Sequence, residues 1–336
     1  MALLEVSGLN VRFPTDDGTV HAVRDVSFTV ERGEVLGIVG ESGSGKSVTS
    51  MAIMGLLPRS TQIDGSVLYD DQQLIGLPRK AQAKFRGNAI GMIFQDPMTS
   101  LNPVYTIGWQ LAEAVRAHNK VSKRQAMSKA VELLRLVGIP QAEVRVDDYP
   151  HTFSGGMRQR VMIAMAMAND PQVLIADEPT TALDVTVQAQ VLETLQEIQD
   201  RTNIAIILIT HDLGVIAGMA DRVMVMYAGT AVETATVDDL FYRPRMPYTI
   251  GLLGAIPRVT VEPEPLHQIK GSTPSLINLK PGCAFSSRCP LVEDRCRVET
   301  PKLADTDMVG HAAACHRWLD LVGRDNSDLF SAGTPS

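Results

Sequence analysis

A chain of 336 residues with a formal net charge of −7 can bury a large core, as two domains or as one domain with a substantial extension. It carries no basic footprint of the kind that grips a nucleic-acid backbone. No apolar run reaches the roughly 18 residues of a membrane span, and Met1-Ala2-Leu3-Leu4-Glu5 lacks a basic stretch followed by an apolar one. The chain is therefore expected to be soluble and cytosolic, meeting a membrane only through partners.

Near the N-terminus, Ala2-Leu3-Leu4-Glu5-Val6 and the stretch from Val20 to Val30 interleave apolar and polar residues, with turn formers between them. This predicts an antiparallel β flank. The runs from Glu34 to Val39, Val173 to Ala176, Ile204 to Ile209 and Val223 to Met226 are short, continuous and apolar, as buried strands of a parallel sheet are. From about Thr99 to Pro150 the pattern turns helical and polar, which predicts an inserted helical subdomain at about residues 97–160. Beyond it, Val191, Leu195 and Ile198 fall at i, i+4 and i+7, one apolar helix face that can cover the sheet. The alternation reads as α/β. After about Val237 the prolines Pro244, Pro247, Pro257, Pro263, Pro265, Pro274 and Pro281 mark a loop-rich extension rather than more sheet. The expected division is residues 1–240 and 241–336.

Gly40-Glu41-Ser42-Gly43-Ser44-Gly45-Lys46-Ser47 follows the first buried strand and precedes the helix-compatible run from Val48 to Leu57. It matches G-x-x-x-x-G-K-[ST] in the required context. The glycines let backbone N–H groups form an anion-sized nest, the following helix adds its positive end, Lys46 can reach the β- and γ-phosphates, and the Ser47 hydroxyl can ligate Mg²⁺. Val173-Leu174-Ile175-Ala176-Asp177-Glu178 ends a strand in two acids, at the sheet edge where open α/β sheets bind ligands. Alone, such a pair is equally consistent with a helix cap. Joined to the phosphate loop, Asp177 suits Mg²⁺ through water and Glu178 suits the attacking water of ATP hydrolysis.

Phe153-Ser154-Gly155-Gly156-Met157-Arg158-Gln159-Arg160 resembles the signature of the ATP-binding-cassette (ABC) family, which normally reads Leu-Ser-Gly-Gly-Gln. Ser154 and the N–H groups of Gly155 and Gly156 would open a helix and make a second anion site. The resemblance implies a P-loop NTPase (RecA-like) ABC nucleotide-binding domain with an antiparallel β flank, and a signature that closes on ATP held by a partner subunit. It also implies that Gln95 senses Mg²⁺ and water and that Thr181-Ala182-Leu183-Asp184 is the D-loop. His211 would be the switch histidine at the γ-phosphate, and Phe13 the aromatic on which adenine stacks. Met157, Met162, Met165 and Met167 read as core filler.

Phe94-Gln95-Asp96-Pro97-Met98-Thr99-Ser100-Leu101-Asn102-Pro103, with Met157, is similar to the D-type ATPase of dipeptide and oligopeptide importers. The segment from Arg243 to Thr249 and the cysteine-bearing tail share that similarity. The implied partners are a second, F-type ATPase, two membrane permeases and an extracytoplasmic substrate-binding protein, with this subunit at the cytoplasmic face of the membrane. Nickel and glutathione importers are close relatives of the peptide importers. The departures, Phe153 for Leu and Met157 for Gln, leave Ser-Gly-Gly intact but remove one side-chain amide from the helix start. A soluble ABC ATPase acting on DNA or ribosomes would carry a long coiled-coil insertion or two cassettes, and a small-molecule kinase has no use for Ser154-Gly155-Gly156.

Cys283, Cys289, Cys296 and Cys315 are separated by five, six and eighteen residues, a spacing that names no metal. Four thiolates suit a tetrahedral Zn²⁺ or a cubane cluster. The resemblance implies a [4Fe-4S] cluster, with zinc or no metal as the alternatives; His311 and His316 flank the last cysteine and could substitute as ligands, but read as bystanders. Such a centre would staple a proline-rich tail that cannot build its own core.

Overall fold

The computed structural model describes residues 2–96, 100–181, 183–255, 269–277, 279–323 and 329–330. Pro257, Pro263 and Pro265 lie outside the described residues. The chain opens with β1 (Leu4–Thr15) and β2 (Gly18–Val30), then β3 (Val35–Val39) and α1 (Lys46–Ile53). There follow β4 (Gln62–Tyr69), β5 (Gln72–Gln73), α2 (Arg79–Gln82) and β6 (Ile90–Ile93). Helices α3 (Ile107–His118), α4 (Lys123–Leu136), α5 (Ala142–Arg145) and α6 (Gly155–Ala166) come next, before β7 (Val173–Asp177), α7 (Val185–Thr202), β8 (Ala205–Ile209) and α8 (Leu213–Met219). Then come β9 (Arg222–Tyr227), β10 (Thr230–Thr236), α9 (Val237–Tyr242), α10 (Pro247–Gly254), α11 (Asp294–Val298), β11 (Ala304–Asp305) and β12 (Ala312–Ala313).

Strands β2-β1-β4-β5 form an antiparallel sheet, the expected flank. The larger sheet runs β11-β12-β10-β9-β3-β8-β7-β6, and its members from β9 to β6 are parallel. Side chains on a strand alternate between faces, and the parallel strands are apolar on both. Leu36, Ile38, Ile175, Ile207, Met224 and Met226 face the core shared with α1 and the antiparallel sheet. Val35, Leu174, Ile206, Leu208, Val223 and Val225 face the other side, where Val191, Leu195 and Ile198 of α7 are fully buried against them. Burial on both faces explains why these strands read as continuous apolar runs.

Met162 and Met167 are buried and Met157 and Met165 partly so, against the same core as α3 and α4. The loop-rich extension carries more sheet than expected: Ala312 and Ala313 of β12 pair with Thr234 and Glu233 of β10, and β11 pairs with β12. Two-residue strands are too short to carry a periodic signal, yet they cover the open edge of β10. There His311 is fully buried with its Nε2 2.7 Å from Glu233. No helix among the described residues is long and apolar enough to cross a membrane.

Candidate functional site

The loop from Gly40 to Gly45 turns β3 into α1. Gly45 has φ 102, and a Cβ there would stand 2.6 Å from the carbonyl oxygen of Ala22, so the tight turn demands glycine. Ser42 and Gly43 are exposed at the loop tip, while Ser44, Gly45 and Lys46 are buried. The Lys46 ammonium donates to the carbonyls of Gly40 (2.7 Å) and Glu41 (3.0 Å) and to Ser44 Oγ (3.4 Å). Burial lowers its pKa, opposed by the carboxylates of Glu178, Asp177 and Glu41. A cation held under the N-terminus of a helix, behind a ring of amides, is an anion receptor.

Asp177 ends β7 and is buried; it accepts from Ser47 Oγ at 2.9 Å. Burial raises its pKa, and the Ser47 hydrogen bond opposes that rise. Glu178 sits one residue beyond the strand at φ 48, a left-handed conformation uncommon for a non-glycine residue, and its N–H donates to the carbonyl of Ile209. The turn aims the carboxylate back over the sheet edge. Its Oε2 accepts from Gln95 Nε2 (3.1 Å) and Thr181 Oγ1 (2.8 Å), and His211 Nδ1 lies 3.6 Å away. Thus Lys46, Ser47, Gln95, Asp177, Glu178 and His211 gather at the C-terminal edge of the parallel sheet. In the sequence Thr181 stands only as part of a loop motif. Its position three residues after the glutamate was the available sign that its hydroxyl could reach back.

Ser154 caps α6, accepting from the Met157 N–H at 3.3 Å, and Gly156 packs so closely on Val187 of α7 that no Cβ would fit. Asp184 caps α7, accepting from the Val187 N–H at 3.0 Å. Phe13 pairs with Val20 on the β1–β2 hairpin and is half-buried. Among the described residues no hydrogen bond joins Phe13 or residues 154–156 to the phosphate loop or to Asp177 and Glu178. Pro97, Met98, Thr99 and Ala182 lie outside the described residues.

The four cysteines line one small, largely apolar pocket, shared with Phe285, Leu291 and His316. The Cys283 N–H donates to the carbonyl of Cys296 at 2.7 Å, closing the loop between them. Burial raises the Cys283 pKa and pushes Cys289 and Cys315 up to about 12. His316 is committed through Nε2 to the carbonyl of Glu299. Among the described residues no group of three or more His, Cys, Asp or Glu side chains is arranged to hold a metal ion. A zinc ion would need its four sulfurs about 3.8 Å apart, from Zn–S bonds of about 2.3 Å.

A sequence profile described as ABC transporter matches residues 23–181, and one described as oligopeptide/dipeptide transporter, C-terminal region, matches residues 232–296. The chain is 52% identical over 317 residues to the oligopeptide transport ATP-binding protein OppD of Haemophilus influenzae, covering 94% of this chain and 97% of that one. It is 53% identical over 334 residues to OppD of Mycobacterium tuberculosis, covering 99% of this chain but only 54% of that longer relative. The chain thus spans about half the length of the mycobacterial protein. Among solved structures, the dimeric ABC transporter cassette MJ0796 is similar with a TM-score of 0.63 and 25% identity, over 70% of this chain and 98% of that one.

Proposed function

This chain belongs to the ABC transporter family, in the branch of oligopeptide and dipeptide transport ATP-binding proteins, and from that premise we propose that it hydrolyses ATP to drive peptide uptake through membrane permeases. The observation that carries the catalytic reading is the convergence of Gln95, Thr181 and His211 on one oxygen of Glu178, next to Asp177, whose carboxylate meets Ser47 of the phosphate loop.

In this reading the N–H groups of residues 42–47 cradle the phosphates, and Lys46 turns from the carbonyls of Gly40 and Glu41 toward the β- and γ-phosphates. Phe13 stacks on adenine. Ser47, Asp177 and Gln95 would hold Mg²⁺, which neutralises phosphate charge. Glu178 binds a water and accepts its proton as the water oxygen attacks the γ-phosphorus; the bond to the bridging oxygen breaks and ADP leaves. Gln95 and Thr181 fix the carboxylate's direction, and His211, largely exposed, is free to meet the γ-phosphate.

Residues 154–156 and Asp184 would act on ATP held by a second ATPase subunit, since they make no hydrogen bond to the chain's own phosphate loop. The dimeric state of the related cassette MJ0796 supports this arrangement. We assign the second subunit to the F-type, and the remaining partners to two permeases and an external binding protein. The subunit would sit peripherally at the cytoplasmic face. Closure around two ATP molecules would shift the permeases between inward- and outward-facing populations. Residues 241–336 form the extension, in which Cys283, Cys289, Cys296 and Cys315 would hold a [4Fe-4S] cluster; four thiols lining one cavity support this reading. Co-expression with the permeases tests the function: ATPase activity in proteoliposomes should rise when a peptide-loaded binding protein is added, and activity indifferent to peptide would count against it.

A further inference from the structure

Glu41, the second residue of the phosphate loop, is held by all three of its polar groups. Its carbonyl accepts from Lys46 Nζ, its N–H donates to the Tyr248 hydroxyl at 2.9 Å, and its carboxylate takes two hydrogen bonds from Arg288, from Nη1 at 2.7 Å and Nη2 at 2.9 Å. Tyr248 and Arg288 both belong to the extension, and Arg288 is the neighbour of Cys289. The guanidinium is 6% exposed and is itself fixed by the carbonyls of Lys270 and Ile269 and by the Tyr227 hydroxyl. It lies over the rings of Tyr227 and Phe285, which pack with Tyr248 at ring separations of 4.6 to 5.3 Å. The extension also grips the hairpin end, where the His21 N–H donates to the Leu276 carbonyl and Ile277 bridges to Val20, the residue opposite Phe13.

A carboxylate on an anion-binding loop repels the anion. Its presence one residue from Gly40 is unfavourable for ATP unless it is neutralised and turned away, and a bidentate guanidinium does both. We propose that Arg288 is a positioning residue of the nucleotide site: from the cysteine-bearing extension it neutralises Glu41 and fixes the loop carbonyl against which Lys46 is set. The proposal rests on the nucleotide-site reading above. It makes the extension a determinant of ATP affinity rather than an appendage.

The test is a set of Mg-ATP dissociation constants for the full chain and its variants, each checked for folding by circular dichroism. Arg288→Ala should weaken binding about tenfold, because it leaves the Glu41 charge beside the phosphates. Glu41→Gln should bind within about threefold of the parent, and the double variant should recover to the same level. A role confined to holding the extension in place would leave the double variant as weak as Arg288→Ala; that result, or parental affinity in folded Arg288→Ala, overturns the proposal. Arg288→Lys keeps the charge but loses the two-pronged contact, so it should bind less tightly than the parent and more tightly than Arg288→Ala; binding no tighter than that of Arg288→Ala contradicts the neutralising role. Should Arg288→Ala not fold, Arg288→Gln takes its place in the same comparisons. Absence of Mg-ATP binding by the parent chain would instead sink the nucleotide-site reading.

Discussion

The Ser47 hydroxyl and the Asp177 carboxylate meet at 2.9 Å across 130 residues of sequence, joining the phosphate loop to the end of β7. Burial holds the Asp177 pKa above its ordinary value. An acid whose pKa is raised by folding stabilises the fold below its unfolded pKa of about 3.9 and loses that contribution as pH rises through the folded value. At neutral pH the ionised carboxylate therefore opposes folding. Asp177→Asn should raise the melting temperature of the nucleotide-free protein by about 2 °C at pH 7, with the gain shrinking toward pH 4, while the added stability from Mg-ATP falls. Differential scanning fluorimetry across pH reads both effects.

Glu178→Gln keeps the volume of the side chain and its contacts with Gln95 and Thr181 but cannot accept a proton from water. Mg-ATP affinity should stay within about threefold of the parent and steady-state turnover should fall by at least about 100-fold. Full turnover in this variant would remove Glu178 from its assigned role.

Thr181 touches Glu178 and acts through it. Thr181→Val deletes the hydroxyl at nearly constant shape, so the carboxylate loses one of its orienting donors. We expect kcat to fall about tenfold with KM for ATP unchanged, on the scale of one lost hydrogen bond to a charged group. An effect on KM alone would mean the residue serves nucleotide binding instead.

For the cysteine cavity, burial keeps Cys289 and Cys315 protonated in the metal-free protein. With pKa values near 12, about one thiol in ten thousand is ionised at pH 8, so alkylation should be far slower than for a free cysteine. Protein purified without oxygen should instead contain iron and sulfide, be brown, and lose both with Cys289→Ser. Colourless, iron-free protein with rapidly alkylated thiols would contradict the assignment on both counts.

The phosphate loop, the two acids at the end of β7 and the parallel strands β3, β7, β8 and β9 were legible because their chemistry is local: each is a contiguous run with one period or one motif, whereas the four-residue β6 was not legible as a strand. The face of α7 was legible for the same reason, through Val191, Leu195 and Ile198. The Glu41–Arg288 pair was not, because 247 residues separate its members and the intervening prolines say only that the chain turns, not where it docks. Thr181 was hidden by its motif, and β11 and β12 by their length. His311, read as a bystander of the thiols, sits at the sheet edge and meets Glu233, a partner 78 residues away that the sequence does not point to.

The central claim is that the loop ending at Lys46 and Ser47 binds the phosphates of a Mg-nucleotide. Calorimetric titration of the purified chain with Mg-ATP, beside Lys46→Ala, tests it most directly. Saturable binding by the parent, weakened at least about 100-fold in the variant as expected for loss of a buried phosphate-binding cation, is the predicted result. Lack of saturable binding by the parent, or equal affinity in the two proteins, would contradict the account.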